Sequence, residues 1–158
     1  MTPDDLAYVA VRMRAYDRRE LAVLGCGDRQ LADFLDQAYS YALKLADGTP
    51  VAVGGAVRPE EHAAFRGLRL GGAVPFNTRL FLWGFGTSEA DRHMLDVHKA
   101  AQGFLAFLDE VEWQRSQAVL VWDGHRKSIR WLRRLGFAPS GLEARGTADE
   151  RILLMERL

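Results

Sequence analysis

Apolar residues Leu6, Val9, Ala10, Met13 and Tyr16 recur at helical spacing behind Thr2 and Asp4, either of which can cap a helix; the pattern predicts a helix to about Leu24. The segment "LGCGD" breaks it, and a second helix from about Asp28 places Leu31, Phe34, Leu35 and Ala38 on one face. The period then changes. "YALKLADGTPVAVGGAV" reads as two strands joined at Asp47-Gly48, a hairpin signal. From Arg58 to Thr78 there is no clean period, and Gly and Pro are frequent; this predicts a long loop with a short helix at Glu60–Phe65, in the kind of segment that often carries function.

Two later runs, "TRLFLWGFG" and "QAVLVWD", are almost continuously apolar, as expected of strands covered on both faces. Between them a turn at Gly86-Thr87-Ser88 leads into a helix from Ser88 or Asp91 to Val111, with Met94, Leu95, Val97, Ala101, Phe104, Leu105 and Leu108 as its apolar set. A basic helix at 125–135 follows Gly124, and strands at Ala138–Ala144 and Arg151–Arg157 flank the turn "RGTAD". The order α-α-β-β-β-α-β-α-β-β predicts one α/β (α+β) domain, with a mixed sheet centred on 79–86 and 117–123.

The helix in "HRKSIRWLRRLGF" divides sharply. Ser128, Ile129, Trp131, Leu132 and Leu135 fall on one side; Arg126, Lys127, Arg130, Arg133 and Arg134 fall on the other. The basic face reads either as an anion site or as a solvated surface whose cations suit the helix C-terminus. Gly136 fits the left-handed residue that closes such a helix before Phe137 enters a strand.

Composition limits what the chain can be. Its 158 residues suit one core, and 21 Lys+Arg against 21 Asp+Glu give no net charge, hence no overall field for nucleic acid or an anionic membrane. Cys26 is the only cysteine, so no internal disulfide exists. No basic-then-apolar leader and no membrane-length apolar run is legible, which predicts a soluble protein without export. His62, His93, His98 and His125 are too scattered to argue a metal, and no nucleophile elbow is present.

The strand followed by "SIRWLRRLGF" resembles the last conserved block of the GNAT superfamily of acyl-CoA N-acyltransferases, and the upstream element order agrees. More narrowly, "VRMRAYDRREL", "DGTPVAVGG", "LWGFGTSEADRH" and "SIRWLRRLGF" together resemble GNAT-like proteins of short-tailed bacteriophages, including small internal virion proteins. The resemblance covers nearly the whole chain. It implies acetyl-CoA or another acyl-CoA as cosubstrate, with pantetheine in a V-shaped gap between the two central strands and the pyrophosphate at the helix N-terminus that follows the first of them. The implied cofactor residues are Trp83, Gly84, Phe85, Gly86, Thr87 and Arg92, with other phosphates near His125, Arg126 or Arg130. Asp17 and Glu20 are placed at the acceptor-amine site as base or cation binder; the plainer reading of this pair is surface ion pairing with Arg14, Arg18 or Arg19. Trp83 and Trp122 read equally as core.

Four departures from the family pattern bear on catalysis. "FLWGFG" keeps glycines but lacks the polar lead of the phosphate loop, and Glu89 and Asp91 stand where phosphates would dock, with Arg92 and His93 nearby. Leu132 replaces the tyrosine that protonates the leaving thiolate, and leucine cannot donate a proton. His125 replaces an asparagine, and the usual first strand is missing because the chain begins at the first helix. Acyl transfer can still proceed by proximity. Two readings stand: an N-acetyltransferase of the host cytoplasm, or a non-catalytic GNAT-fold protein of a phage particle or its assembly, with other phage structural proteins as partners. An acyl-CoA sensor without turnover lies between them.

Overall fold

A computed structural model describes residues 1–26, 31–35, 37, 39–58 and 79–158. In chain order the elements are α1 (Pro3–Val11), α2 (Ala15–Val23), a 3-10 turn (Ala32–Phe34), β1 (Tyr39–Lys44), β2 (Pro50–Val57), β3 (Arg79–Gly86), α3 (Ser88–Arg92), α4 (Met94–Val111), β4 (Ser116–Trp122), α5 (Arg126–Arg134), β5 (Ala138–Arg145) and β6 (Arg151–Arg157). The six strands form one sheet in the order β1-β2-β3-β4-β6-β5. Only the β3–β4 pair is parallel among them. The expected loop at 59–78, with its helix at Glu60–Phe65, and the start of the expected second helix lie outside the described residues.

The expected single first helix is two. Thr2 and Asp5 form a capping box on α1, but at Met13 and Arg14 the backbone turns to β3 instead of continuing: Met13 bridges Thr87 and the Arg14 N–H donates to the Gly86 carbonyl at 3.0 Å. The expected helix from Ser88 to Val111 is likewise divided at His93, whose ψ of 29 is not helical. Elsewhere the boundaries follow the apolar pattern. Gly48 takes φ 87 in the hairpin, which glycine adopts without the steric cost a side chain would add.

The sheet is covered on both faces. Against one lie Leu6, Val9 and Met13 of α1, with Phe34, Val53 and Phe85. On the other, Ala101 and Leu105 of α4 and Ile129, Leu132 and Leu135 around α5 close over Val121 and Met155. The inward stripe of α5 is thus its apolar side, as its periodicity requires.

Candidate functional site

The two central strands part company halfway along. β3 and β4 pair from Arg79↔Ser116 to Leu82↔Val119 and no further. Yet β3 remains bonded to β2 as far as Gly86↔Ala52, and β4 to β6 as far as Trp122↔Ile152. Each strand therefore keeps its outer neighbour while the inner seam opens. In a continued parallel ladder the next rung would run from the Gly84 N–H to the Leu120 carbonyl. Both groups instead face a gap.

Helix α2 lies across the ends of that gap and caps both strands with side chains. The Gly86 N–H donates to Asp17 Oδ2 at 2.8 Å, and the Trp122 N–H donates to Glu20 Oε1 at 2.8 Å. Arg14 holds Asp17 from the other side, with its Nε 2.9 Å from Oδ2, and also reaches Asp91 at 2.8 Å. Burial opposes the Arg14 charge, but Asp17 and Asp91 outweigh it and hold its pKa above the ordinary value. Asp17 is 4 % exposed with an oxygen already shared by three donor atoms, so it holds the strand end and Arg14 in place.

The second oxygen of Glu20 carries a chain of polar contacts. His125 Nδ1 is 3.0 Å from Glu20 Oε2, and its Nε2 is 3.1 Å from Ser128 Oγ and 3.8 Å from Asp17 Oδ1. The imidazole is 4 % exposed, and the Tyr16 ring stacks on it at 5.6 Å. Gly124 makes this placement possible: a Cβ there would fall 2.3 Å from the Trp122 ring, so only glycine lets the chain turn beneath the indole and direct His125 back to α2.

Between these groups and the α4–α5 side opens a cleft of about 850 Å³. Lys127, Arg130 and Arg134 line it, and among the described residues none of the three takes part in an ion pair. The indole Nε1 of Trp131, on the same wall, is buried without a hydrogen-bond partner among the described residues. Half-buried Cys26 also borders the cleft; burial, then Asp33, push its thiol pKa up, which disfavours the reactive thiolate.

Of the residues singled out from sequence, Asp17, Glu20, Trp83, Gly84, Phe85, Gly86 and His125 line this cleft. Thr87, Arg92 and Arg126 do not. Thr87 is buried with its hydroxyl on the Val51 carbonyl; Arg92 pairs outward with Glu89; Arg126 is exposed. Asp91 is matched by Arg14. Trp83 turns into the core, stacking on Phe34 at 4.3 Å and donating to Gln37. Arg14, expected only as a surface ion-pair partner of Asp17 and Glu20, does pair with Asp17, but with Asp17 buried at the strand end; sequence reasoning missed Ser128, whose spacing three residues after His125 was its visible sign. Among the described residues no cluster suits a metal and no helix is long and apolar enough to cross a membrane.

No protein-family model and no curated protein matches the chain. Solved structures do. AAC(6')-Ib in complex with ribostamycin and coenzyme A superposes with a TM-score of 0.69 at 14% identity, over 99% of this chain and 89% of that one. A GCN5-related N-acetyltransferase from Kribbella flavida gives 0.65 at 13% identity, over 99% and 94%. A spermidine N-acetyltransferase from Vibrio cholerae gives 0.58 at 8% identity, over 82% and 72%. At such identities the likeness concerns architecture, and together with the parted central strands it establishes that the chain has the mixed-sheet fold of the GNAT N-acetyltransferases.

Proposed function

We propose that the chain is an acetyl-CoA-dependent N-acetyltransferase. The observation that carries this reading is the open seam between β3 and β4, an apolar slot edged by unpaired backbone groups at Gly84 and Leu120. An acyl-CoA fits the groups present: its amide-bearing arm matches the slot and the Trp131 Nε1 donor, and its phosphates match Lys127, Arg130 and Arg134. When bound it supplies an activated acyl thioester.

The chain's own residues then have separable tasks. Gly84 offers a backbone N–H into the slot, Asp17 and Arg14 hold the β3 end open, and the Glu20–His125 pair provides a proton acceptor beside the cleft. Holding an amine against the thioester contributes much of the rate by itself. Leu132 is buried at 5 % exposure, which supports assigning proton transfer to the His125 side instead.

The other reading, a non-catalytic phage particle protein, is best accommodated by a seam filled with side chains, whereas this one is open. Acetyl-CoA at about 100 times its dissociation constant stabilises a folded protein by about 2.7 kcal/mol, an upward shift of about 5–10 °C in Tm at this size. An unchanged Tm with millimolar acetyl-CoA, on folded protein, would overturn the proposal.

A further inference from the structure

A row of three opposed residues crosses β1, β2 and β3: Tyr41 stands opposite Gly54, and Gly54 opposite Gly84. Directly opposed residues share a face of the sheet, so this row carries one large side chain and two bare positions. The Tyr41 ring folds over the first of them. A Cβ on Gly54 would fall 2.9 Å from the Tyr41 hydroxyl and 3.0 Å from two ring carbons. Among the described residues no side chain covers the second. A Cβ on Gly84 would meet only backbone, the Val53 carbonyl oxygen at 3.4 Å and the Gly54 Cα at 3.8 Å, and Gly84 is exposed.

A recess one strand wide therefore lies over Gly84, between the open seam and the Tyr41 hydroxyl. Leu82 of β3 and Val97, Ala101 and Phe104 of α4 line the same cleft as Tyr41 and Gly84, and all four are apolar. Phe104 holds the Tyr41 ring at a centroid distance of 4.8 Å. The hydroxyl is the polar exception, and among the described residues it has no hydrogen-bond partner. Burial pushes its pKa up to about 12, so it stays neutral and no charge faces the recess. An acetyl group has a single carbon beyond its carbonyl and would leave this space empty.

We propose that this recess receives the acyl chain of the donor, so that the cleft takes short straight-chain acyl-CoAs as well as acetyl-CoA and binds them more tightly. This rests on the acyl-CoA reading of the seam. One strand spacing is about 5 Å, which accommodates a chain of about four carbons. Both ends of the recess set that length. At the seam, the missing side chain of Gly84 leaves the entrance open. At the far end, the Tyr41 ring fills the space above Gly54. An apolar chain long enough to cover the Tyr41 hydroxyl would give that group nothing to bond, which disfavours longer chains.

Calorimetric titration of the whole chain with acetyl-CoA, butyryl-CoA and octanoyl-CoA tests this without knowledge of the acceptor amine. Butyryl-CoA should bind about tenfold tighter than acetyl-CoA, the yield of two buried methylenes, and octanoyl-CoA no tighter than butyryl-CoA. Gly84→Ala places a methyl group in the recess and should cut the butyryl advantage to about threefold or less. The φ of Gly84 is not left-handed, so alanine suits its backbone. Tyr41→Ala removes the stop and should make octanoyl-CoA the tightest of the three; the Tm of each variant verifies folding. Equal wild-type affinities for acetyl-CoA and butyryl-CoA, or a butyryl advantage untouched by Gly84→Ala, would overturn the acyl recess and leave the acetyltransferase reading standing. A wild-type affinity that climbs by the same factor per methylene through octanoyl-CoA would place the chain on an open surface and overturn the recess as well. If none of the three binds the folded protein, the cofactor reading itself falls, and this inference with it.

Discussion

Asp17 accepts the backbone N–H of Gly86 at 2.8 Å, a hydrogen bond that a neighbouring strand would ordinarily take. A helix carboxylate thus replaces a rung of the sheet at the point where the central seam has opened. Asp17→Ala should leave the Gly86 N–H without its acceptor and strip a half-buried Arg14 of one of its two carboxylates. We expect a loss of about 3 kcal/mol, read by urea denaturation. A change below about 0.5 kcal/mol would mean that the strand end does not depend on this contact.

Two glycines should respond in opposite directions. A Cβ on Gly55 would lie 2.4 Å from the Tyr39 carbonyl oxygen and 2.7 Å from the Trp83 ring, so Gly55→Ala should cost about 1–3 kcal/mol. Gly103 is an exposed residue inside α4, and a Cβ there meets nothing within 4 Å. Gly103→Ala should therefore stabilise by about 0.5–1 kcal/mol, and thermal melts of both variants check the pair.

The elements were legible because their apolar periods are strong. β3, β4, α5 and β6 lie within about a residue of where the alternation and wheel place them. The division at Met13–Arg14 was not legible, since helical spacing continues through Tyr16 and the competing partner, Gly86, is far away in sequence. The site was half legible for the same reason. Glycines and carboxylates of plausible chemistry could be named, but Asp17 and Glu20 look like ordinary surface acids until the fold sets them on Gly86 and Trp122. His125 stood out as a substitution in a familiar block, whereas its pairing with Glu20 crosses more than a hundred residues.

Tyr41 gives a pH signature. Burial pushes its phenol up to about 12, whereas a tyrosine in the unfolded chain ionises near 10. The folded state therefore favours the neutral form. This contribution is complete below about pH 10 and is lost as pH rises toward about 12. Tyr41→Phe removes the titration, so the stability of wild type relative to the variant should decline across that window. Denaturation curves for both proteins at about pH 8 and about pH 11 measure the difference; a constant gap would place Tyr41 in contact with water.

The basic face of α5 allows the last prediction. The family resemblance set phosphates near His125, Arg126 or Arg130, and the unpaired backbone N–H groups of the helix lie only at its first turn. The side chains are arranged differently: Lys127, Arg130 and Arg134 line the cleft, whereas Arg126 lies outside it. Cleft-lining positions recur at three- and four-residue intervals along one edge of the helix; Arg126 belongs to the same edge, one turn before Arg130, but as the first helical residue it lies beyond the end of the cleft. Arg130→Glu should therefore weaken acetyl-CoA binding by about tenfold or more, the effect of about 1.4 kcal/mol, and Arg134→Glu should act in the same direction. Arg126→Glu should change affinity far less, since long-range attraction across solvent is screened at ordinary salt. Arg134→Glu should also cost a few tenths to about 1 kcal/mol of stability by placing an anion at the helix C-terminus. Calorimetric titration of the three variants in one buffer, repeated with added salt, decides between a directed phosphate contact and a diffuse basic patch. Equal losses in all three would establish the patch.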